Sequence, residues 1–351
     1  MTVALGELGQ QRDAQRLLEA ALGDPAHAYL FHGPPGVGKR AAARAFGHAL
    51  LGSSREHHPD LYELDALGDM IRIDAIRELR RDLHMRPFEA DRRVYLIHRA
   101  HLMNEDAADA LLKDLEEPPP YAVLVLVADR LGPLPETIRS RCQLVPFTRL
   151  SERSLREVVD ARAPTLPEQT RLALARAAAG RLDRLTRLLD AKASDRRQLL
   201  VVQARAVYRD AAFDAAAAAS ALVACAHERA AEARGLEEAK LSGLELPARE
   251  AEQRVRRAQH GAEREELLAQ LDELASWYRD LVTVGVGAEE AAAHVDRLEE
   301  LRADADSERV VSAARATELV LETWRALEEF NLNPQLALEA LFLALAEELR
   351  P

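Results

Sequence analysis

The sequence predicts a parallel α/β domain built around a phosphate-binding loop, continuing into a chain that is helical to its end. Three observations carry this. A strand-like run leads into the glycine-rich segment Gly33-Pro34-Pro35-Gly36-Val37-Gly38-Lys39, and a helix-prone AAARAFGHALL follows. Through residue 150, short apolar runs alternate with amphipathic stretches, the pattern of parallel strands joined by crossover helices. Beyond residue 150 strand signals almost vanish, and Ala and Leu dominate while aromatics make up only 4% of the chain. Unbranched side chains of that kind keep their rotamer freedom in a helix.

Length and composition set the frame. A chain of 351 residues exceeds one ordinary core and points to two or three domains. With 48% hydrophobic and 30% charged residues, every domain can bury a core, which excludes a disordered tail. The net charge of −12 argues against coating nucleic acid by bulk charge. Any DNA contact is expected to be modest, and no aromatic-plus-basic strand pattern for single strands is visible. Two cysteines, Cys142 and Cys225, cannot form a disulfide framework and suggest a reducing compartment. The opening MTVALGELGQQRDAQ lacks a signal-peptide pattern, and the most apolar stretch, Ala211–Ala226, carries Asp214 and Ser220. A cytoplasmic protein with no membrane association is expected.

The elements follow in order. Ala28–Phe31, Val94–Ile97 and Val123–Val127 read as strands buried on both faces. Helical patterns cover Asp74–Leu83 and Glu105–Glu116; the second has Asn104 as N-cap, acids in its first turn, and stops at Pro118-Pro119-Pro120. A short helix is expected from Thr165, with Glu168 completing a capping box, to Gly180, and another through Leu189. Long helices then span Ala211–Arg234 and Glu250–Val282, broken at LSGLELP by Gly243 and Pro247. Leu267, Leu268, Leu271, Leu274, Trp277 and Leu281 form a stripe at helical spacing, expected to pack inside a bundle. Expected boundaries are 1–150, 151–195 and 196–351.

The loop at 33–39 has chemistry of its own. Gly33, Gly36 and Gly38 free the backbone to turn its N–H groups onto a phosphate, the following helix adds its N-terminal dipole, and Lys39 supplies a point charge. Only four of the 47 basic residues are lysine, so a lysine here marks a place where arginine does not substitute. Position 40, however, is Arg40 where a Ser or Thr hydroxyl would hold Mg²⁺. The strand Val94–Ile97 likewise ends in His98-Arg99 rather than in the carboxylates that hold metal and position water. An arginine beside a divalent ion is repelled by roughly several kcal/mol. A nucleotide fold without nucleotide hydrolysis is expected, with no required cofactor. Arg40 stands in for the metal at best, allowing only weak Mg²⁺-independent ATP or ADP binding.

On these residues the chain resembles the bacterial clamp-loader ATPases of DNA polymerase III, an AAA+ family. Within that family it resembles the stationary delta-prime type of subunit. The resemblance rests on HAYLFHGPPGVGK at 27–39, HPDL at 58–61, IRIDAIREL at 71–79 and VYLIHRAHLMNEDAADALLKDLEEPPP at 94–120. TIRSRCQLVPF at 137–147 and NPQLALEALFLAL at 333–345 continue it in the family's order. It implies a RecA-like AAA+ domain at 1–150, a small helical lid at 151–195 and an all-α collar for oligomerisation at 196–351. It also implies a hetero-oligomer, pentamer-like, with tau/gamma motor subunits and a delta subunit, which loads a sliding clamp on primed DNA.

The family's Ser-Arg-Cys motif matches Ser140-Arg141-Cys142, which makes Arg141 an arginine finger acting in trans on a neighbour's γ-phosphate. Cys142 is expected to be a small buried residue, not a nucleophile. Three departures stand out. The stretch LGSSREHHPDLYELD has no cysteine where the family carries a four-cysteine zinc module, so no zinc is expected and His57-His58 read as solvated loop residues. The arginine that motor relatives place after the lid glycine falls near Asp183, one residue before Arg184. The metal-binding acids are missing, as described above. The expected role is a delta-prime-like component of the polymerase holoenzyme without ATPase of its own; the alternative is a tau/gamma-like motor. The contacts of the helical stretch near 225–262 stay open at this level.

Overall fold

The computed structural model describes residues 11–53, 55, 57–65, 70–242, 248–330 and 332–350, the side chains of 249 and 250 excepted. The opening ten residues and the helix break at Gly243 and Pro247 lie outside the described residues. The chain divides into two compact units, Met1–Leu155 with Ala179–Asp183, and Arg156–Ala178 with Arg184–Pro351.

In the first unit, α1 (Arg12–Ala21), β1 (Ala28–His32), α2 (Lys39–Leu50), β2 (Leu61–Leu64), α3 (Ile73–Leu83) and β3 (Arg93–Ile97) come in turn. α4 (Glu105–Glu116), β4 (Ala122–Ala128), α5 (Glu136–Arg139) and β5 (Gln143–Pro146) follow. The strands form one sheet in the order β2-β3-β4-β1-β5, every neighbouring pair parallel. Residue alternation divides the core between the two faces. Ala28 and Leu30 of β1, with Leu124 and Leu126 of β4, face Ile76 and Leu79 of α3 and Leu111 of α4. Tyr29 and Phe31, with Val123 and Val125, face Leu18 of α1 and Phe46 of α2. The three central strands are the three apolar runs read from the sequence. β2 and β5 had not been expected; both are edges, and three of the four β5 residues are exposed. Asn104 caps α4 as expected, its side chain accepting from the Ala107 N–H at 3.1 Å.

The second unit is helical. It takes in most of α6 (Glu152–Arg162) and α7 (Glu168–Ala177), then α8 (Leu182–Leu188) from Arg184 on, α9 (Ala193–Arg209), α10 (Ala215–Leu241) and α11 (Ala248–Gly285). α12 (Leu298–Asp304), α13 (Ser307–Glu329) and α14 (Pro334–Leu349) complete it. The helix expected from Thr165 begins instead at Glu168, with Pro167 as N-cap and no side-chain cap bond. The residue before a proline is driven out of the helical region, so Thr165 and Leu166 stay in the preceding turn and no capping box forms. The helix expected from Ala211 starts at Ala215, because Asp214 caps it by accepting from the Ala217 N–H at 3.0 Å. The stripe on α11 packs inward as expected: Leu267, Leu271, Leu274, Trp277 and Leu281 are buried in one cluster, with Leu268 against its edge.

A charged knot lies within this helical core. His294 is fully buried and is hydrogen-bonded through Nδ1 to Asp280 at 2.8 Å and through Nε2 to Glu273 at 3.1 Å. Arg197 donates to Glu273 at 3.1 Å and grips Asp296 with both Nη atoms, at 2.6 and 3.0 Å. Burial alone would lower the His294 pKa, but the bonds to Asp280 and Glu273 outweigh it and hold the pKa above its ordinary value.

Candidate phosphate-loop site

The loop leaves β1 at its C-terminal end and enters α2 at Lys39, the first helical residue. Gly33, Gly36 and Gly38 all take left-handed φ angles, 139°, 76° and 97°, conformations open to glycine at little cost. The fit is tight as well. A Cβ on Gly33 would stand 2.0 Å from the Phe147 carbonyl oxygen, and one on Gly36 2.1 Å from Asp183 Oδ1. The three glycines and Lys39 thus meet in one loop.

Lys39 is buried and turned back onto its own loop. Its Nζ donates to the Gly33 carbonyl at 2.7 Å and to that of Pro34, and pairs with Asp129 Oδ1 at 2.7 Å. Asp129 follows β4 directly, and β4 lies beside β1 in the sheet. Burial pulls the Lys39 pKa below its ordinary value, with Asp129 opposing the drop. Leu182 and Asp183 N–H groups both donate to the Gly36 carbonyl, at 2.8 and 3.2 Å.

The side of the loop where a metal would sit is filled with ion pairs. Arg40 Nη1 donates to Asp65 Oδ2 at 2.7 Å, and Arg99 Nε donates to Asp65 Oδ1 at 2.8 Å. Beside them Arg44 Nε donates to both oxygens of Glu63, at 2.8 and 2.9 Å, and His98 Nε2 bonds Glu63 Oε2 at 2.8 Å. Glu63, the third residue of β2, and Asp65, just past the strand, are two residues apart, so both point to one face. Burial raises the Glu63 pKa, yet the His98 and Arg44 bonds override it and bring it down to about 2. His98 is held below its ordinary pKa by burial, which Glu63 only partly offsets. Arg99 itself sits at φ 51°, a left-handed arginine at the tip of β3. Mg²⁺ does not fit this donor set: two guanidinium groups stand beside Asp65, which is already shared between them. Among the described residues no group of three or more His, Cys, Asp and Glu is arranged to hold a metal.

The Ser140-Arg141-Cys142 segment lies elsewhere. It precedes β5, whose Gln143 pairs with Tyr29 at the start of β1, while the phosphate loop follows the last residue of β1. The two sites therefore occupy opposite ends of one parallel sheet, separated by about 15 Å of strand at ~3.3 Å per residue. Arg141 is one-third exposed, donates to the Thr137 carbonyl at 2.9 Å and pairs with Glu116 Oε1 at 2.6 Å. Ser140 Oγ donates to the Thr137 carbonyl at 3.1 Å. Burial pushes the Cys142 thiol up to about 12, so little thiolate forms near neutral pH and nucleophilic chemistry there is disfavoured.

His57 is exposed, but His58 is buried and its Nδ1 accepts from the Asp60 N–H at 3.1 Å. It is therefore not a solvated residue, because Asp60 beside it is drawn inward to accept three N–H bonds from Phe88, Glu89 and Ala90 at 2.7–2.9 Å. Arg184, one residue past Asp183, is bound to Glu273 at 3.2 Å. Asp129, Glu63, Asp65 and Glu116 hold ion pairs that no motif in the sequence marks. The alternation Glu63-x-Asp65 on a short strand, and an acid closing the β4 apolar run, were the available signals.

A five-stranded parallel sheet in this order, with a glycine-rich loop between β1 and the next helix, defines a P-loop α/β fold, here with ion pairs beside the loop. Residues 10–151 match the family described as "DNA polymerase III, delta subunit". Its sequence is similar to subunits of DNA polymerase III of both the delta-prime and the tau type. It is 38% identical over 136 residues to the delta-prime subunit of Pseudomonas aeruginosa, covering 33% of this chain and 42% of that one. Against the delta-prime subunit of Bacillus subtilis it is 32% identical over 147 residues, 37% and 45% of the two chains. Against the tau subunit of the same bacterium it is 31% identical over 221 residues, 56% and 38%. The matches thus span less than half the length of these curated relatives. A gamma subunit-related protein from Thermotoga maritima shares the fold at a TM-score of 0.52 and 16% identity, covering 96% of this chain and all of that one. No helix among the described residues is long and apolar enough to cross a membrane.

Proposed function

We propose that this chain is a stationary, delta-prime-like subunit of a clamp loader. In this reading it assembles in a pentamer-like ring with tau/gamma motor subunits and a delta subunit. Its own ATP site is silent, and it donates Arg141 in trans to a motor's ATP while the ring loads a sliding clamp on primed DNA. The lid at 151–195 and the collar at 196–351 are part of the proposal. The observation that carries it is the contrast across the sheet: the metal side of the loop is filled by Arg40, Arg99 and Asp65, while Arg141 stands at the far end of the strands.

The chemistry follows from that placement. At about 15 Å from its own loop, Arg141 cannot reach a phosphate bound there, so any phosphate it serves belongs to another subunit. A guanidinium is always charged and presents a planar fork to phosphate oxygens, which suits charge developing on a transferring phosphoryl group. Glu116 and the Thr137 carbonyl hold the fork at the surface. In a ring reconstituted with motor and delta subunits, Arg141→Ala is expected to slow turnover at the site it faces by about 10³-fold or more. Clamp- and DNA-stimulated ATPase reads this, and unchanged rates would remove the finger role.

The tau/gamma-like motor is the second reading, favoured by the identity to the tau subunit running over 221 residues. The same assay on this chain alone separates the two. Turnover that Lys39→Ala abolishes would carry the motor reading, and no turnover ends it.

A further inference from the structure

The residues around the loop assign a specific part to two carboxylates outside it. We infer that Asp129 and Asp183 decide what the loop holds: they stand where a phosphate chain would, liganding the cradle from within and excluding a nucleoside polyphosphate. The inference rests on reading residues 33–39 as a phosphate cradle and goes beyond the silence of the metal side, which Arg40, Arg99 and Asp65 already account for.

Lys39 is the loop's point charge, and it has no donor left to offer. A lysine ammonium carries three N–H groups; these go to the Gly33 carbonyl, the Pro34 carbonyl and Asp129 Oδ1, in a side chain that is buried. A phosphate reaching Lys39 must displace Asp129, itself an anion at hydrogen-bond distance.

Asp183 fills the middle of the cradle. The space beside the Gly36 α-carbon, kept free of side chain for close approach by a ligand, holds the Asp183 carboxylate: a Cβ there would lie 2.1, 2.5 and 2.7 Å from its Oδ1, Cγ and Oδ2. Its seat is fixed by three further contacts. The backbone N–H groups of Leu182 and Asp183 both donate to the Gly36 carbonyl, and Arg181 clasps the carboxylate through Nε at 3.2 Å and Nη2 at 2.9 Å. The chain is turned to this position at Gly180, whose φ is +82° and whose Cβ would come 2.8 Å from the Cβ of Arg149. Lys39 senses the charge of both acids. A polyphosphate in the same volume would meet two like charges where a working loop presents only N–H groups and a lysine. The cradle keeps its shape with its own carboxylates as ligands.

The test is calorimetric titration of the full chain with ADP and, separately, with pyrophosphate, each with and without Mg²⁺. The chains compared are the natural sequence, Asp183→Asn, Asp129→Asn, the double Asn variant and Asp183→Ala. The natural chain is expected to show no binding up to about 1 mM. The Asn variants keep size and shape while removing the charge, so they hold the test if Asp183→Ala fails to fold. The double variant is expected to gain at least about tenfold in affinity for pyrophosphate. Binding by the natural chain as tight as that of the double variant overturns the inference. So does the absence of binding in Asn variants that melt as the natural chain does. Neither result touches Arg141, whose part is decided by the reconstituted ATPase, so the two readings fail separately.

Discussion

The molecule has two networks of arginine and carboxylate, and they differ in how much water they see. Around the phosphate loop, Arg40 and Arg99 share Asp65 with side chains 53% and 45% exposed. In the helical unit, Arg197 is 8% exposed where it meets Glu273 and Asp296, and His294 has no exposure at all. The same chemistry therefore does different work. Exposed pairs gain little from attraction screened by solvent and can be exchanged for other partners. Buried charges cannot return to water without unfolding, so each must keep its partner. The first network lines one side of the loop, where its charges still meet solvent; the second lies inside the helical core, where they do not.

That difference can be broken at its strong end first. Arg197→Ala strips Asp296 of its bidentate partner and leaves Glu273 to His294 and Arg184 alone, and is expected to cost about 3–5 kcal/mol, seen as a fall in the melting temperature of the helical unit. A pH titration sharpens the comparison at the loop. Glu63 has a folded pKa of about 2, below its ordinary 4.5. Its depressed value means the stabilisation is present above the unfolded pKa and lost as pH falls through the window from about 4.5 to 2. Linkage puts it at no more than about 3 kcal/mol, and a Glu63→Gln chain is expected to show a flatter acid limb in chemical denaturation. Smallest of all, Arg99→Ala removes a half-exposed pair while the Cβ and its left-handed backbone stay, and is expected to change stability by less than about 1 kcal/mol. A large loss there would erase the contrast between the two networks.

Much of the sheet was legible because burial on both faces leaves a continuous apolar run, as at Val94–Ile97 and Val123–Val127. β2 and β5 were not, because an edge strand such as Leu61–Leu64 or Gln143–Pro146 mixes exposed and polar residues over four positions and has no readable period. Position-specific chemistry was legible where one residue type has one job: the loop glycines, Lys39, and Asn104 as cap. What escaped depends on the chain returning from far away. Asp129 and Asp183 are ordinary acids until β4 comes to lie beside β1 and the turn at Gly180 carries 182–183 back to Gly36. His58 looked solvent-facing because its burial comes from Asp60 and the 88–90 loop, nearly thirty residues on.

The length of α11 has a consequence for how the helical unit moves. At ~1.5 Å per residue, 38 residues extend about 57 Å. Yet the core cluster takes its α11 residues only from Leu267 onward, and its α10 residues end at Ala226. The turns of α11 before that point give no described residue to that cluster, so their amides are expected to exchange by local fraying while those near Trp277 wait for the whole unit to open. A single unbroken helix is thus expected to carry a gradient of exchange protection along its length.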